Sequence, residues 1–238
     1  KDHVIRNDTG VFEGGEISMY YDPMIAKLCT WGKNRDIAIN TMKDALDVFE
    51  LDGIGHNIPF LQAVYDHDRF KSGNITTAFI SEEYPDGFSG AEVNNQHTRR
   101  IAAICALMHD ITEHRAADIS GALPNHERHV PDLWSVAIGG AHYAADINGE
   151  EGLRNISIKD PDGGLDTLDM EVLTSWKPGQ QLVKAFIDNS RFNFRAKKIS
   201  EGYKVWHRGC EFKVSVRTPR GAELSKFMLE KIDPDTSN

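Results

Sequence analysis

"NNQHTRRIAAICALMHDITEHRAA", residues 94 to 117, is the stretch on which the fold turns. Ile101, Ile104, Cys105, Met108 and Ile111 recur near the 3.6-residue period, flanked by Arg99, Arg100, Asp110, Glu113 and Arg115. That spacing predicts one long helix with an apolar stripe, and a stripe must be covered. The cover lies downstream, because beyond Asp132 the period changes to two. "LWSVAIG", "AHYAADIN", "LRNISIKD", "TLDMEVLTSW", "QQLVKAFIDN", "RFNFRAKKIS", "YKVWHRG" and "EFKVSVRTP" alternate or carry β-branched and aromatic residues, between turn signals such as Asn148-Gly149 and Asp162-Gly163. Eight short strands so spaced predict an antiparallel barrel or sandwich, with the helix against its inside or mouth. A last helical piece is expected over 222–231, ahead of the polar tail "DPDTSN".

Upstream of the helix the pattern is different. Val4 to Arg6 and Met24 to Thr30 are strand-like. Ile37, Met42, Ala45, Leu46 and Phe49 then follow helical spacing behind an Asn34 cap, with a stop expected by Asp52-Gly53. A second helix starts at Asn57 with proline in its first turn, where a missing N–H costs nothing. A third, short one covers about 76–83. The Pro- and Gly-rich "EYPDGFSGAE", residues 83 to 92, reads as a boundary between two domains. Because so few residues precede the first strand, the chain reads as the tail of something larger.

Composition limits the function classes. The chain has 238 residues, 40% of them apolar and 26% charged, with a formal net charge of -9. Such a balance disfavours a nucleic-acid groove, which needs clustered Lys and Arg. Cys29, Cys105 and Cys210 are odd in number and far apart, so buried thiols in a reducing compartment are expected rather than disulfides. No apolar run approaches the ~20 residues that span a bilayer, and Lys1-Asp2-His3 begins no signal peptide.

Motifs for chemistry are sparse. His109 and His114 are five residues apart on the long helix and point to different faces, and His126 and His129 have no Cys nearby, so no metal site is predicted. "DPDGGLDTLDME", residues 160 to 171, carries five carboxylates, but its glycines fall too early for an EF-hand loop. Walker A, G-x-G-x-x-G, G-x-S-x-G and Cys-x-x-Cys patterns are all missing. Arg6, in the partly apolar "VIRNDTG", is a candidate anion-holding cation. Asp22, in Tyr20-Tyr21-Asp22-Pro23, reads as part of a turn.

The first 85 residues or so resemble the C-terminal end of the biotin carboxylase domain of biotin-dependent carboxylases. They carry its Y-Y-D-x-M-I-x-K-L signature as Tyr20 to Leu28, an arginine fourteen residues ahead as Arg6, and the closing segments "DGIGHNIPFL" and "GNITTAFI". The rest, with "EYPDGF" and "AELSKFMLEK", is similar to the α-subunits of biotin-dependent acyl-CoA carboxylases, those acting on propionyl-CoA above all. The resemblance implies an α+β chain: residues 1–85 from a biotin carboxylase domain, a linker at 86–93, and a subunit-docking (BT) domain over 94–238. In that domain a helix at about 94–117 and a loop at about 121–132 precede a barrel at about 133–218.

The resemblance also implies roles. Arg6 is expected to approach the biotin ureido oxygen and steady the enolate, and Ile75 to border the adenine pocket. In the docking loop Leu123, Pro124, His126, Arg128, Val130 and Pro131 are expected to meet a carboxyltransferase β-subunit. Biotin, ATP and Mg2+ belong to the intact subunit, and none is expected on this piece by itself, which is predicted inactive because the ATP-grasp region and biotin carrier are missing from it. Neither nucleic acid nor membrane is an expected partner. The expected compartment is the cytoplasm in a bacterium or the mitochondrial matrix in a eukaryote. The equivalent region of a methylcrotonyl-CoA or related carboxylase is an alternative, and a small-molecule-binding barrel is another.

Overall fold

The computed structural model describes residues 3–17, 20, 24–91, 94–119, 128–150, 152–160 and 166–228. The chain divides into two compact units, one of residues 1–92 with 193–195 and 206–211, the other of 93–192, 196–205 and 212–238.

In the first unit β1 (His3–Thr9) and β2 (Ala26–Gly32) form an antiparallel pair in which Arg6 stands opposite Cys29. Helix α1 (Arg35–Asp47) is capped by Asn34, whose side chain accepts from the Ile37 N–H, as its sequence predicts. It ends at Asp47, ahead of Asp52-Gly53 by which a stop was expected, with Ala45, Leu46 and Asp47 buried in its last turn. Helix α2 (Ile58–Asp66) has its proline in the first turn, but Asn57 makes no side-chain cap bond. Two short helices close the segment, α3 (Asp68–Ser72) and α4 (Phe79–Glu83). The first was not expected from the sequence: it is one turn long, capped by the His67 ring and stopped by left-handed Gly73.

In the second unit the sequence pattern is realised as a closed ring. Helix α5 (Asn95–Ala117) is followed by β3 (Leu133–Ile138), β4 (Ala141–Glu150), β5 (Leu153–Lys159), β6 (Thr167–Thr174), β7 (Leu182–Ile187), β8 (Ser190–Ile199), β9 (Gly202–His207) and β10 (Cys210–Arg217), then α6 (Pro219–Ser225). Each strand pairs with its sequence neighbour, and β10 closes on β3. Two-residue connections at Gly139-Gly140, Asp188-Asn189 and Arg208-Gly209 have positive φ at both positions, the hairpin geometry that matches the strand twist. The expected Asn148-Gly149 turn is corrected. Both residues lie inside β4, and Gly149 is needed for close approach, since a Cβ there would stand 2.8 Å from the Leu153 carbonyl oxygen. Asp162-Gly163 lies outside the described residues.

The stripe on α5 was read too narrowly. Ile101 to Met108 are all between 0% and 1% exposed, so the helix is enclosed all round by inward residues of the ring such as Val136, Ile158, Val172, Val183 and Val214. Ala102, Ala103 and Ala106 are the small residues that let strands approach on every side. Two of the charges flanking the stripe are buried. Arg99, 6% exposed, donates to the Asp166 carbonyl at 2.6 Å and to Asp160 at 3.3 Å, and Asp110, 2% exposed, accepts from Trp134 Nε1 at 3.3 Å. Burying these groups with partners avoids the cost of stranding them.

Since side chains fill the cylinder, a Leu107→Ala change leaves a cavity and should destabilise the second unit by about 2–5 kcal/mol. Urea denaturation followed by near-ultraviolet circular dichroism tests this. A loss below about 1 kcal/mol would mean that the helix is loosely held.

Candidate functional site

Arg6 projects from the middle of β1 with its side chain 68% exposed. Its guanidinium is already engaged: Nε donates to Asp8 Oδ1 at 3.0 Å and Oδ2 at 3.2 Å, and Nη2 lies 3.9 Å from Cys29 Sγ. Asp8 is on the same face because it is two residues along the same strand. It raises the Arg6 pKa further, so the cation is permanent. Sequence reading named the arginine and missed its carboxylate neighbour, although the i,i+2 spacing was visible.

Ile75 is 43% exposed, in the polar connection between α3 and α4. Neighbouring Asn74 accepts from Arg69 Nε through its carbonyl, and Thr76 accepts from the Ala78 N–H. Ile75 and Arg6 share no hydrogen bond or ring contact among the described residues. Neither lines the two grooves of this unit, of about 540 and 410 Å³, which are walled by Trp31, Met42 and Phe70 and by Met24, Phe49 and Leu61 respectively.

Of the expected docking loop, Leu123, Pro124 and His126 lie outside the described residues. Its returning end is well defined. Arg128 pairs with Glu113 of α5, and Pro131 is half-buried. Val130 is buried in this chain, at 7% exposure. A β-strand begins three residues beyond it at Leu133, with Trp134 and Val136 buried and Asp132 exposed. His109 stacks edge-on against Trp134 at 4.6 Å, and burial lowers its pKa, keeping it neutral. Burial likewise raises the pKa of Asp110. The exit of α5 is therefore fixed at both ends, by the Trp134–Asp110 bond and by the Glu113–Arg128 pair.

A polar cluster in the first unit was wholly missed. Asp47, 3% exposed, accepts from Gln62 Nε2 at 2.7 Å and from the Arg208 N–H at 3.2 Å, with Arg208 Nε at 2.9 Å. Gln62 Oε1 accepts the Gly209 N–H at 2.8 Å, so both backbone donors of that turn are satisfied by side chains. A Cβ at Gly209 would come 2.6 Å from the Pro59 carbonyl oxygen, which leaves only glycine. The residues concerned are some 160 positions apart and no local pattern joins them. Thiols hold no comparable site: Cys105 and Cys210 are buried, with pKa values pushed up by burial, and Cys29 is half-buried.

Two family models match the chain, the biotin carboxylase C-terminal domain over residues 1–82 and the propionyl-coenzyme A carboxylase BT domain over residues 101–231. The propionyl-CoA carboxylase alpha chain of Ruegeria pomeroyi is 49% identical over 98% of this chain. This chain belongs to the propionyl-CoA carboxylase α-chain family. The mouse mitochondrial propionyl-CoA carboxylase alpha chain is 31% identical over 98% of the chain. The α-subunit of Arabidopsis thaliana methylcrotonoyl-CoA carboxylase is 38% identical over 55% of it. The chain spans 33% of the Ruegeria relative and 32% of the mouse one, about a third of their length. The α+β architecture, with a helix enclosed by eight antiparallel strands, agrees with a biotin carboxylase C-terminal segment followed by a BT domain.

Asp47 gives the cluster a pH signature. Burial outweighs the attraction of Arg208 and pushes its pKa from 3.8 up to about 7. The fold holds this proton more tightly than the unfolded chain does. Its contribution to stability is therefore complete below pH 3.8 and is lost as pH rises through about 7. Wild-type stability measured against Asp47→Asn should fall across that window in urea titrations. A constant difference across it would show that the carboxyl is ionised throughout.

Proposed function

We propose that this chain is the part of a biotin-dependent propionyl-CoA carboxylase α-subunit that supplies one edge of the biotin carboxylase site and a BT domain that docks the carboxyltransferase β-subunit. In this reading residues 1–85 belong to the carboxylase domain, 86–93 link, and 94–238 dock. The observation that carries the docking half is the enclosed helix. A ring whose centre is filled by residues 101 to 108 has no central chamber for a small molecule, and its stiffness lets it present a loop with little entropy lost on binding. The small-molecule barrel is the weaker reading for the same reason.

The residues present fit the cofactors the family implies. Arg6 is an exposed, permanent cation on a strand, suited to face an electron-rich ureido oxygen. Ile75 offers an exposed apolar wall suited to the face of an adenine. Biotin supplies the nitrogen that carries the carboxyl group, while ATP and Mg2+ supply the activation of bicarbonate. The contribution of Arg6 is to hold a fixed positive charge where negative charge grows on the biotin oxygen, with no solvent reorganisation at the moment of reaction. Asp8 keeps the guanidinium pointed along the strand until the ureido oxygen takes over part of its hydrogen bonding. Acyl-CoA choice is assigned to the β-subunit. The similarity to a methylcrotonoyl-CoA carboxylase subunit keeps that substrate as a second reading, which an acyl-CoA panel on the holoenzyme separates. The bacterial and mitochondrial relatives point to the cytoplasm or the matrix as the place of action, and no helix among the described residues is long and apolar enough to cross a membrane.

In the intact α-subunit, Arg6→Ala should lower biotin-dependent ATP turnover by roughly 100-fold or more, with partial recovery in Arg6→Lys. Turnover within a few-fold of wild type in both would remove Arg6 from the site. Docking is tested separately by Leu123→Asp, which spares the buried Val130: copurification with the β-subunit should be lost while biotin-dependent ATP turnover is kept. Undiminished copurification would move the contact elsewhere.

A further inference from the structure

At the end of the ring where α5 exits, a cavity of about 280 Å³ opens between the helix, the β6–β7 connection, β8 and β9, walled by Met108, Trp176, Gln180, Ala196, Lys198 and Tyr203. Its floor is apolar and fixed. Met108 and Tyr203 are 1% and 2% exposed, and the Trp176 ring is held in place by its Nε1–H donating to the Gln180 carbonyl at 2.9 Å. The size suits one large apolar side chain. Its rim is basic: Lys197 and Lys198 both border it, and Lys198 Nζ sits 4.8 Å above the Tyr203 ring.

Charge points the same way. Lys177, Lys184, Lys197 and Lys198 are exposed, and none has an ion-pair partner among the described residues. Glu113 on α5 pairs with Arg128, and Glu201, between β8 and β9, pairs with Arg217. In a chain of net charge -9, lysines at this rim mark a local reversal of sign. The basic character is confined to the rim: on the outer face the exposed row of Leu153, Leu173 and Phe186 is bordered by the carboxylates of Glu150, opposite Leu153, and Glu171.

We propose that this site, the Trp176 cavity with its lysine rim, binds an acidic polypeptide segment that inserts one large apolar side chain into the cavity. The site uses no residue of the 121–132 loop, so it stands or falls apart from the docking assignment made for that loop. The attraction of the lysines for carboxylates sets orientation and association rate, while the buried side chain supplies affinity.

The test uses the intact α-subunit and, as probe, a synthetic peptide of glutamates around one central leucine. Saturable binding is expected by tryptophan fluorescence, weakened roughly tenfold by the exposed double change Lys197→Glu and Lys198→Glu, and weakened by added salt. A glutamine version of the peptide should bind more weakly, with its affinity insensitive to salt. Carbodiimide cross-linking should place the peptide on Lys197 or Lys198. Binding that survives the double change, or cross-links confined to other lysines, overturns the proposal. So does tighter binding of sodium hexanoate than of the peptide, which would make the cavity a small-carboxylate site. Circular dichroism of the double variant keeps a folding defect from being mistaken for lost binding.

Discussion

Burial of the α5 segment from Ile101 to Met108 is the constraint on which the second unit depends. A ring of eight strands cannot fill its own interior with the side chains it carries when many are as small as Ala145, Ala185 and Ala196. The helix supplies the missing volume, and the ring supplies the helix with apolar cover on all sides. Neither is stable by itself, since an isolated helix of this composition is marginal in water and an empty barrel would forfeit its packing contacts. The pairing of sequence neighbours around the ring keeps the contacts local and the closure simple.

Enclosure raises a problem at the two ends, where helix backbone and polar side chains must leave an apolar tube. At one end Arg99 spans to the β5–β6 connection and satisfies the Asp166 carbonyl. At the other, Asp110 and Glu113 take hydrogen from Trp134 and Arg128, so the chain leaves the helix and re-enters at β3 between two fixed points. The loop proposed to dock a partner is thereby held at its base, an arrangement that lowers the entropy lost on binding.

The ring was legible in the sequence because alternation survives as a signal when one face of each strand is buried and the other wet. All eight runs from Leu133 to Arg217 appear as strands. Enclosure of the helix was harder to read, because alanine at 102, 103 and 106 scores as neutral on a stripe and becomes core only when strands close around it. The Asn148-Gly149 error has a similar cause: the dipeptide is a turn signal locally, but the β4–β5 register runs through it to Glu150 and Leu153. The Asp47–Gln62–Arg208–Gly209 cluster had no signal at all, since its members are brought together only by the folded chain.

Arg6 and Asp8 show how a strand holds an outward cation in place. The strand sets the pair, because Asp8 is on the same face as Arg6 by virtue of the two-residue period alone. Asp8 accepts from Nε and Nη2 lies 3.9 Å from Cys29 Sγ, so the guanidinium is held on two sides while the side chain stays exposed. In the role proposed for Arg6, a guanidinium with five donors can keep a contact with Asp8 while part of the fork turns to a ligand. An ammonium in its place would put all its charge on one atom and would have to choose between Asp8 and the ligand.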